Sequence, residues 1–80
     1  MSHTKYVTDL IQTIRKLKNK SMTDFAKNEN IGEQALRNKL SRANYKVDDL
    51  INYAKFLGVD VGFRDGENFY SFLKDDKKST

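Results

Sequence analysis

The sequence predicts a mainly α-helical protein of about four helices with a β-hairpin at its C-terminal end. As far as Leu57, hydrophobic residues recur at spacings of three and four, the pattern of a helix with one buried face. After Gly58, hydrophobic and polar residues alternate, which is typical of a strand. Within the helical region, residues 21–42 have the pattern of two short helices joined by a tight turn, and we expect the other elements to pack around this pair.

The chain has 80 residues and a mass of 9.3 kDa, which is enough for one domain. We assign residues 1–73 to this domain and residues 74–80, which are polar, to a flexible tail. Because the sequence contains no cysteine, disulfides and thiolate metal sites are excluded. No hydrophobic run approaches the ~20 residues of a membrane span, so we expect a soluble, cytoplasmic protein that does not contact membranes.

The first predicted helix begins at Ser2 or Thr4 and runs to about Asn19. Its basic residues cluster near the C-terminal end, where they complement the negative end of the helix dipole. Its apolar residues fall on one stripe, which we expect to face the core. This stripe consists of Tyr6, Val7, Leu10, Ile11, Ile14 and Leu17.

The first helix of the central pair begins with a capping box, S-x-x-D, formed by Ser21 and Asp24. In such a box the hydroxyl accepts a hydrogen bond from an early helical N–H, and the carboxylate accepts one from the N–H of the cap residue. Residues 28–30, Asn-Glu-Asn, include poor helix formers with alternative local hydrogen bonds, so the helix is expected to end there.

The second helix of the pair is predicted from about Glu33 to Ser41, with Gly32 at its N-cap and Ile31 in the corner between the helices. Leu36 and Leu40 are four residues apart and therefore lie on the same, buried side. The opposite side is exposed and polar, with groups suited to hydrogen bonding the edges of DNA bases. Its residues are Glu33, Gln34, Arg37, Asn38 and Ser41.

A last helix is predicted from Val47 to Leu57, and Gly58 follows where a left-handed C-cap residue belongs. The alternation from Val59 to Phe63 then predicts a strand. Asp65-Gly66 is predicted to be the two-residue turn of a hairpin, and the return strand spans Phe69 to Leu73.

Positive charge is concentrated in the middle of the chain. The formal net charge is +4, but residues 15–46 contain nine basic and three acidic residues, a balance of +6. The remaining residues must therefore sum to −2. A basic region that coincides with a two-helix motif is the pattern expected of a surface that faces phosphates.

The segment FAKNENIGEQALRNKLSRANYKVDDLINYAKFLGVDV resembles the phage-repressor, Cro or Xre-like, family of helix-turn-helix proteins. The shared features are the Phe-Ala helix start, the apolar corner of the turn, the leucine-centred second helix and the run NKLSRANY. The resemblance covers roughly residues 20–61. It implies a helical bundle, DNA binding through the second helix of the motif, and a transcriptional regulator, usually a dimer on a two-fold operator.

The resemblance and the exposed face together predict which side chains contact double-stranded DNA. In the major groove, Gln pairs with adenine and Arg with guanine, and phosphate contacts are expected at the edges of the motif. We expect bases to be read by Glu33, Gln34, Arg37 and Asn38. We expect phosphates to be contacted by Ser21, Lys39, Arg42, Asn44 and Lys46.

A homodimer is predicted because the hairpin carries more large apolar residues than one face of a strand can bury. The expected interface residues are Phe69, Tyr70, Phe72 and Leu73. The first helix could instead form the dimer interface, or could cover the hairpin and leave a monomer.

The sequence does not predict an enzyme, a cofactor, a metal site or a small-molecule ligand. Its one histidine, His3, lies near the N-terminus, and no nucleophile-base set or phosphate-binding glycine loop is present. We therefore expect a sequence-selective DNA-binding regulator, such as a repressor of phage, plasmid or prophage type. The alternative is a protein-binding module that uses the same fold to bind a polymerase subunit, a toxin or an anti-defence target, with Arg37 and Arg42 in the protein interface.

Overall fold

The protein is described by a computed structural model, which covers residues 3–73. Within this range the chain forms four helices followed by a two-stranded antiparallel hairpin, which confirms the predicted fold class. Ser2 and the tail predicted at 74–80 lie outside the described residues. In chain order the elements are α1 (His3–Leu17), α2 (Met22–Glu29), α3 (Glu33–Ser41), α4 (Val47–Leu57), β1 (Gly62–Asp65) and β2 (Asn68–Ser71).

All four helices end in the same way. A residue with left-handed backbone follows each helix, and its N–H and the next N–H donate to carbonyls of the last turn, which is the Schellman motif. Gly58 is the predicted example, and Asn30 ends α2 within the predicted segment. At the end of α3 the left-handed residue is Ala43, with φ of 52°. Alanine has neither the conformational freedom of glycine nor the local side-chain hydrogen bonds of asparagine, so this conformation is less favourable for it. Asn19 has φ of 58°, so α1 ends at Leu17, before the predicted boundary.

Helix starts agree with the prediction in part. The Ser21 hydroxyl oxygen accepts from the Asp24 N–H at 3.0 Å, as the capping box predicts. The reciprocal bond to the Asp24 carboxylate does not form within residues 3–73, so the box is one-sided. At α4 the other half of a capping box is present, because the Asp49 carboxylate accepts a hydrogen bond from the N–H of Lys46, the N-cap residue, at 2.8 Å. A lysine ammonium has no lone pair with which to complete that box.

The core lies between the helices and is centred on Phe25, which is fully buried in α2. Its ring meets the edge of Tyr53 and stacks on Phe56, with centroid distances of 5.0 Å in both contacts. Leu36 and Leu40 complete this centre from α3, as predicted. Tyr53 was not predicted as a core residue, yet it is 1% exposed, and its hydroxyl has no hydrogen-bond partner among the described residues.

The apolar stripe of α1 is only partly buried, which corrects the prediction that the whole stripe faces the core. Ile11 is buried, and Val7 and Ile14 pack against the core from partly exposed positions. The remaining residues of the stripe are rotated about 100° around the helix axis from this buried side, the angle between neighbouring residues, and they are exposed to solvent. These exposed residues are Tyr6, Leu10 and Leu17.

The hairpin differs from the prediction in its boundaries and in its turn. Asp65 pairs with Asn68, so Gly66-Glu67 is the two-residue turn, and the predicted turn Asp65-Gly66 was wrong by one residue. Gly66 has φ of 63°, which suits the first central position of a type II′ turn. The first strand begins at Gly62, because Val59 is used earlier to close the C-terminal end of α4 against the core.

The hairpin projects from the helices. Neither strand packs against any of the four helices. Phe63 and Tyr70 pair across the strands on one face and are 69% and 57% exposed, whereas Phe69, at 38%, lies on the other face beside Arg64. Apolar side chains are therefore in solvent on both faces of the hairpin.

Candidate nucleic-acid interface

Helix α3 is held by its buried side and presents a polar side to solvent. Leu36 and Leu40 are 0% and 1% exposed and anchor the helix against the core. Gln34, Arg37 and Asn38 lie on the exposed side, as predicted. Helix α2 packs against α3 and fixes its orientation, and Ile31 packs into the corner between the two helices.

The predicted base-reading side chains form two pairs, each joining residues four apart along α3. The Arg37 guanidinium donates to the Glu33 carboxylate at 2.5 Å, and the Gln34 amide donates to the Asn38 side-chain oxygen at 3.2 Å. Such i,i+4 pairs restrict the rotamers of both partners. Four of the five N–H donors of Arg37, one lone pair of the Asn38 side-chain oxygen and both lone pairs of the Gln34 oxygen remain available, because each pair uses a single hydrogen bond.

Glu33 differs from the other three residues because its carboxylate is held from two sides. Besides Arg37, the Thr23 hydroxyl of α2 donates to it at 2.9 Å. These hydrogen bonds, that of Arg37 above all, lower the pKa of Glu33 from its ordinary value. Glu33 is also half-buried, whereas Gln34, Arg37 and Asn38 are exposed. Its position fits a residue that orients Arg37 better than one that meets a base directly.

The predicted phosphate-contacting residues occupy two places beside α3. Ser21 is exposed at the start of α2, and its oxygen already accepts a hydrogen bond, which leaves the hydroxyl proton free to donate. Arg42, Asn44 and Lys46 are exposed in the segment that follows α3. Within residues 3–73, Arg42 takes part in no ion pair.

The segment after α3 is fixed to α1 through Tyr45. The Tyr45 hydroxyl lies 2.9 Å from the Thr8 hydroxyl and 3.2 Å from the Thr4 carbonyl, and its single proton can be donated to one of these two oxygens at a time. Thr8 also donates to the Leu40 carbonyl at 3.1 Å, so α1 contacts both the end of α3 and the segment beyond it. These bonds hold the backbone that carries the exposed Arg42.

Lys39 is placed differently from the other predicted phosphate contacts. Its ammonium forms an ion pair with the Asp49 carboxylate at 3.2 Å, and the side chains are 30% and 20% exposed. Burial by itself would raise the pKa of Asp49, but hydrogen bonds from the Lys46 N–H and the Lys39 ammonium outweigh it and lower the pKa. A phosphate would have to compete with Asp49 for this ammonium.

Two further basic residues of the central region serve the fold. The Arg15 guanidinium donates to the Gln12 side chain at 2.8 Å and to the Lys20 carbonyl at 2.7 Å, which closes the end of α1. The Lys20 ammonium lies 5.2 Å from the centre of the Phe56 ring. The cations left exposed in this region are Lys16, Lys18, Lys27, Arg37, Arg42 and Lys46.

Two contributors to this surface were not found from the sequence. Thr23 reaches Glu33 only because the first turns of α2 and α3 lie side by side. Thr8 supports Tyr45 from a position 37 residues earlier in the chain. Threonines on helix surfaces are common, and neither carries a local sequence signal that marks it.

No protein-family model, curated protein or solved structure matches this chain. Among the described residues, no group of three or more His, Cys, Asp or Glu side chains could hold a metal ion. None of the helices in residues 3–73 has the length and apolar character needed to span a membrane.

Proposed function

We propose that this protein binds double-stranded DNA in a sequence-selective manner through α3 and acts as a small transcriptional regulator. The observation that carries the proposal is the two-sided character of α3. Leu36 and Leu40 fix one side in the core, and Gln34, Arg37 and Asn38 project from the other. A helix of this kind fits the major groove, where amide and guanidinium groups pair bidentately with adenine and guanine.

The charges around α3 support the same proposal. Arg42 and Lys46 follow the helix and are exposed, and Ser21 offers a hydroxyl proton at the start of α2. Contacts of this type to phosphates fix the position of a protein on DNA without reading its sequence. Within the proposal, Glu33 orients Arg37, and Lys39 is a weaker phosphate contact because it is paired with Asp49.

The proposal is tested by in-vitro selection of bound sequences from random duplex DNA. We expect one consensus to be enriched, with two-fold symmetry if the protein binds as a dimer. Gln34→Ala and Arg37→Ala should each relax the preference at one base position and weaken consensus binding by about 1–3 kcal/mol. Asn52→Ala and Lys55→Ala, which alter exposed residues of α4, are the matched controls and should change neither property.

Two results would contradict the proposal. One is the recovery of no enriched sequence. The other is an unchanged consensus and affinity in both Gln34→Ala and Arg37→Ala. The competing function, a protein-binding module, is favoured by the exposed apolar hairpin and would give the first of these results.

A further inference from the structure

An open polar cleft lies between the first turns of α1 and the end of α3. Its volume is about 500 Å³, within the ~300–1,000 Å³ of pockets that hold small ligands. Its lining includes Lys5, Thr8 and Asp9 from α1, and Ser41 and Arg42 from the other side. The cleft therefore has room for a phosphate group between two cationic side chains.

The two walls of the cleft are held together by hydrogen bonds. The Thr8 hydroxyl donates to the Leu40 carbonyl at 3.1 Å and lies 2.9 Å from the Tyr45 hydroxyl. Because these bonds join α1 to the end of α3 and the segment beyond it, the spacing of the walls is set before any ligand binds. Lys5 and Arg42 therefore line the same space in the free protein.

The cleft opens beside the polar side of α3. Ser41 is exposed and lies four residues after Arg37 and three after Asn38, so these side chains share one side of the helix. At the rise of a helix, Ser41 is about 6 Å along the axis from Arg37. When the first turns of such a helix contact bases in the major groove, its last turn lies nearer the sugar-phosphate backbone. DNA bound to α3 would therefore pass the cleft with its backbone.

The charges of the cleft favour an anion. Arg42 is exposed and forms no ion pair within residues 3–73. Lys5 pairs with Asp9 at 3.7 Å, but the two side chains are 77% and 64% exposed, and an ion pair this exposed is weak. A phosphate can therefore replace Asp9 as the partner of Lys5. The pair of Lys39 and Asp49, in contrast, is shorter and more buried.

We infer from this arrangement that the cleft binds one phosphate of the DNA backbone, which Lys5 of α1 and Ser41 of α3 contact together with Arg42. The inference rests on the proposed function and extends it, because it adds α1 to the DNA-binding surface. Neither Lys5 nor Ser41 is among the residues that the sequence predicts to contact phosphates. Lys5 also lies outside the basic region of residues 15–46.

A phosphate that is part of DNA fits this cleft better than a free anion does. The cations on both walls are exposed, and charges surrounded by water attract each other only weakly. A free anion would depend on these weak attractions alone. A DNA phosphate is brought to the cleft by the other contacts of α3, and its neutralisation releases counterions.

Binding of the full chain to DNA, followed by fluorescence anisotropy at several salt concentrations, tests the inference. Lys5→Ala should weaken binding to the selected sequence and to scrambled DNA alike, by about 3- to 10-fold, and should lower the slope of log affinity against log salt by about one. Lys5→Arg keeps the charge and should retain the slope. Lys55→Ala, which removes an exposed charge from α4, is the control and should change neither value.

Asp9 and Ser41 supply variants with different expected effects. Asp9→Asn should strengthen binding to both kinds of DNA by about 2- to 5-fold, because Lys5 then has no competing carboxylate. Ser41→Ala should weaken binding without changing the salt slope, since it removes a hydrogen bond but no charge. Circular dichroism verifies that each variant is folded.

Replacing single backbone phosphates of the DNA by neutral methylphosphonates locates the contact. One replacement should weaken binding by the parent and have a much smaller effect on Lys5→Ala and on Arg42→Ala, because each variant already lacks one partner of that phosphate. Different positions for the two variants would show that Lys5 and Arg42 contact different phosphates, which would overturn the shared site.

Failure of this inference is distinguishable from failure of the proposed function. If the parent binds a selected sequence and Lys5→Ala has the affinity and salt slope of the parent, the cleft binds no DNA phosphate and the proposed function stands. If the parent enriches no sequence, the proposed function fails and the inference fails with it.

A titration of the free protein with inorganic phosphate, followed by NMR, examines the other source of a phosphate group. We expect no saturable shift of the Lys5 and Ser41 amides at millimolar concentrations. Saturation there, together with unchanged DNA binding in Lys5→Ala, would overturn the inference and identify the cleft as a site for free anions.

Discussion

The Glu33 carboxylate connects the two helices of the motif through single side chains. It accepts from Thr23 of α2 and from Arg37 of the same helix, so the guanidinium is held in a position set by α2. A side chain that is fixed before binding loses less conformational entropy when it forms a specific contact. These two contacts explain why Glu33, an acidic residue, lies on a surface that we propose contacts phosphates.

Asp49 has a comparable role at the start of α4. Its carboxylate caps the helix through the Lys46 N–H and forms an ion pair with Lys39 of α3. Burial opposes ionisation, but these two contacts lower the pKa of Asp49 below its ordinary value of 3.8. An acid whose pKa is lowered by folding stabilises the fold above its ordinary pKa, and this contribution is lost as the pH falls through the folded value.

Asp49→Asn should therefore destabilise the protein at neutral pH and have little effect in acid. We expect a loss of about 1 kcal/mol at pH 7, or roughly 4–8 °C in Tm for a domain of this size. The difference from the parent should shrink below pH 3.8 and vanish once Asp49 is protonated in the parent as well. Thermal unfolding monitored by circular dichroism at pH 7 and in acid measures both values.

Asp48→Asn is the control for this prediction. It removes a carboxylate from the same helical turn, but Asp48 forms neither a capping bond nor an ion pair within the described part of the chain. Its effect on Tm should be smaller than that of Asp49→Asn at pH 7. Equal effects would mean that the helix dipole, and not the two contacts of Asp49, accounts for the stabilisation.

Among the elements, the hairpin is the one most separable from the rest of the protein. Its strands pack against none of the four helices, and its first residue, Gly62, lies directly against the opposite strand. A Cβ atom at Gly62 would lie 2.0 Å from the Tyr70 carbonyl oxygen and 2.8 Å from the Ser71 Cα. These neighbours are backbone atoms, so they cannot move aside without breaking the strand pairing.

Gly62→Ala should thus open the hairpin while the four helices remain folded. Hydrogen exchange followed by NMR should show faster exchange of the cross-strand amides between residues 62 and 71, with protection retained in α2, α3 and α4. Gly32→Ala is the matched control, because no atom lies within 4 Å of the added Cβ and φ is −73°. Loss of helix protection in Gly62→Ala would show that the hairpin supports the helices after all.

At the scale of the whole molecule, the net charge of +4 arises from an uneven distribution. The excess of basic residues lies in residues 15–46, which contain both helices of the motif and the segment after α3. Arg15, Lys20, Arg37 and Lys39 take part in contacts within the protein, but Arg37 and the remaining cations of this region are exposed to solvent. Binding to DNA through these groups would release counterions and fall steeply with salt.

Arg42→Ala tests whether the exposed cations of residues 15–46 contact DNA phosphates. It should weaken binding to the selected sequence and to scrambled DNA by similar factors, and should reduce the slope of log affinity against log salt by about one. Fluorescence anisotropy at several salt concentrations measures affinity and slope together. Lys55→Ala removes one positive charge from α4 and should leave the slope unchanged. A loss confined to the selected sequence would instead indicate that Arg42 reads a base.

Measuring affinity at several salt concentrations also separates DNA binding from the alternative of a protein-binding module. A mostly apolar interface between proteins has little dependence on ionic strength, whereas contacts to phosphate depend on it strongly. Dimerisation through the hairpin would place two copies of α3 on one DNA molecule and would double the number of phosphate contacts. The oligomeric state should therefore be measured together with the salt dependence, because a dimer on DNA would have the steeper slope.

The sequence by itself determined the features that depend on neighbouring residues. The bounds of α3 and α4, the left-handed Gly58 and the buried positions of Leu36 and Leu40 all agree with the prediction. Hydrophobic periodicity and helix capping involve residues within one or two helical turns of each other, so the local sequence determines them. The polar side of α3 was predicted for the same reason, since it is the side opposite the two leucines.

Only the tertiary structure decided which surfaces meet. The central place of Tyr53, the bond from Thr23 to Glu33 and the pairing of Lys39 with Asp49 join residues on different helices. Packing also determined that only part of the α1 stripe is buried. The one-residue shift of the hairpin turn has a similar cause, because pairing between strands and the use of Val59 in the core set the register. The local preference of Asp65-Gly66 for a turn could not determine the strand register, because the register depends on how the strands and the core pack together in space.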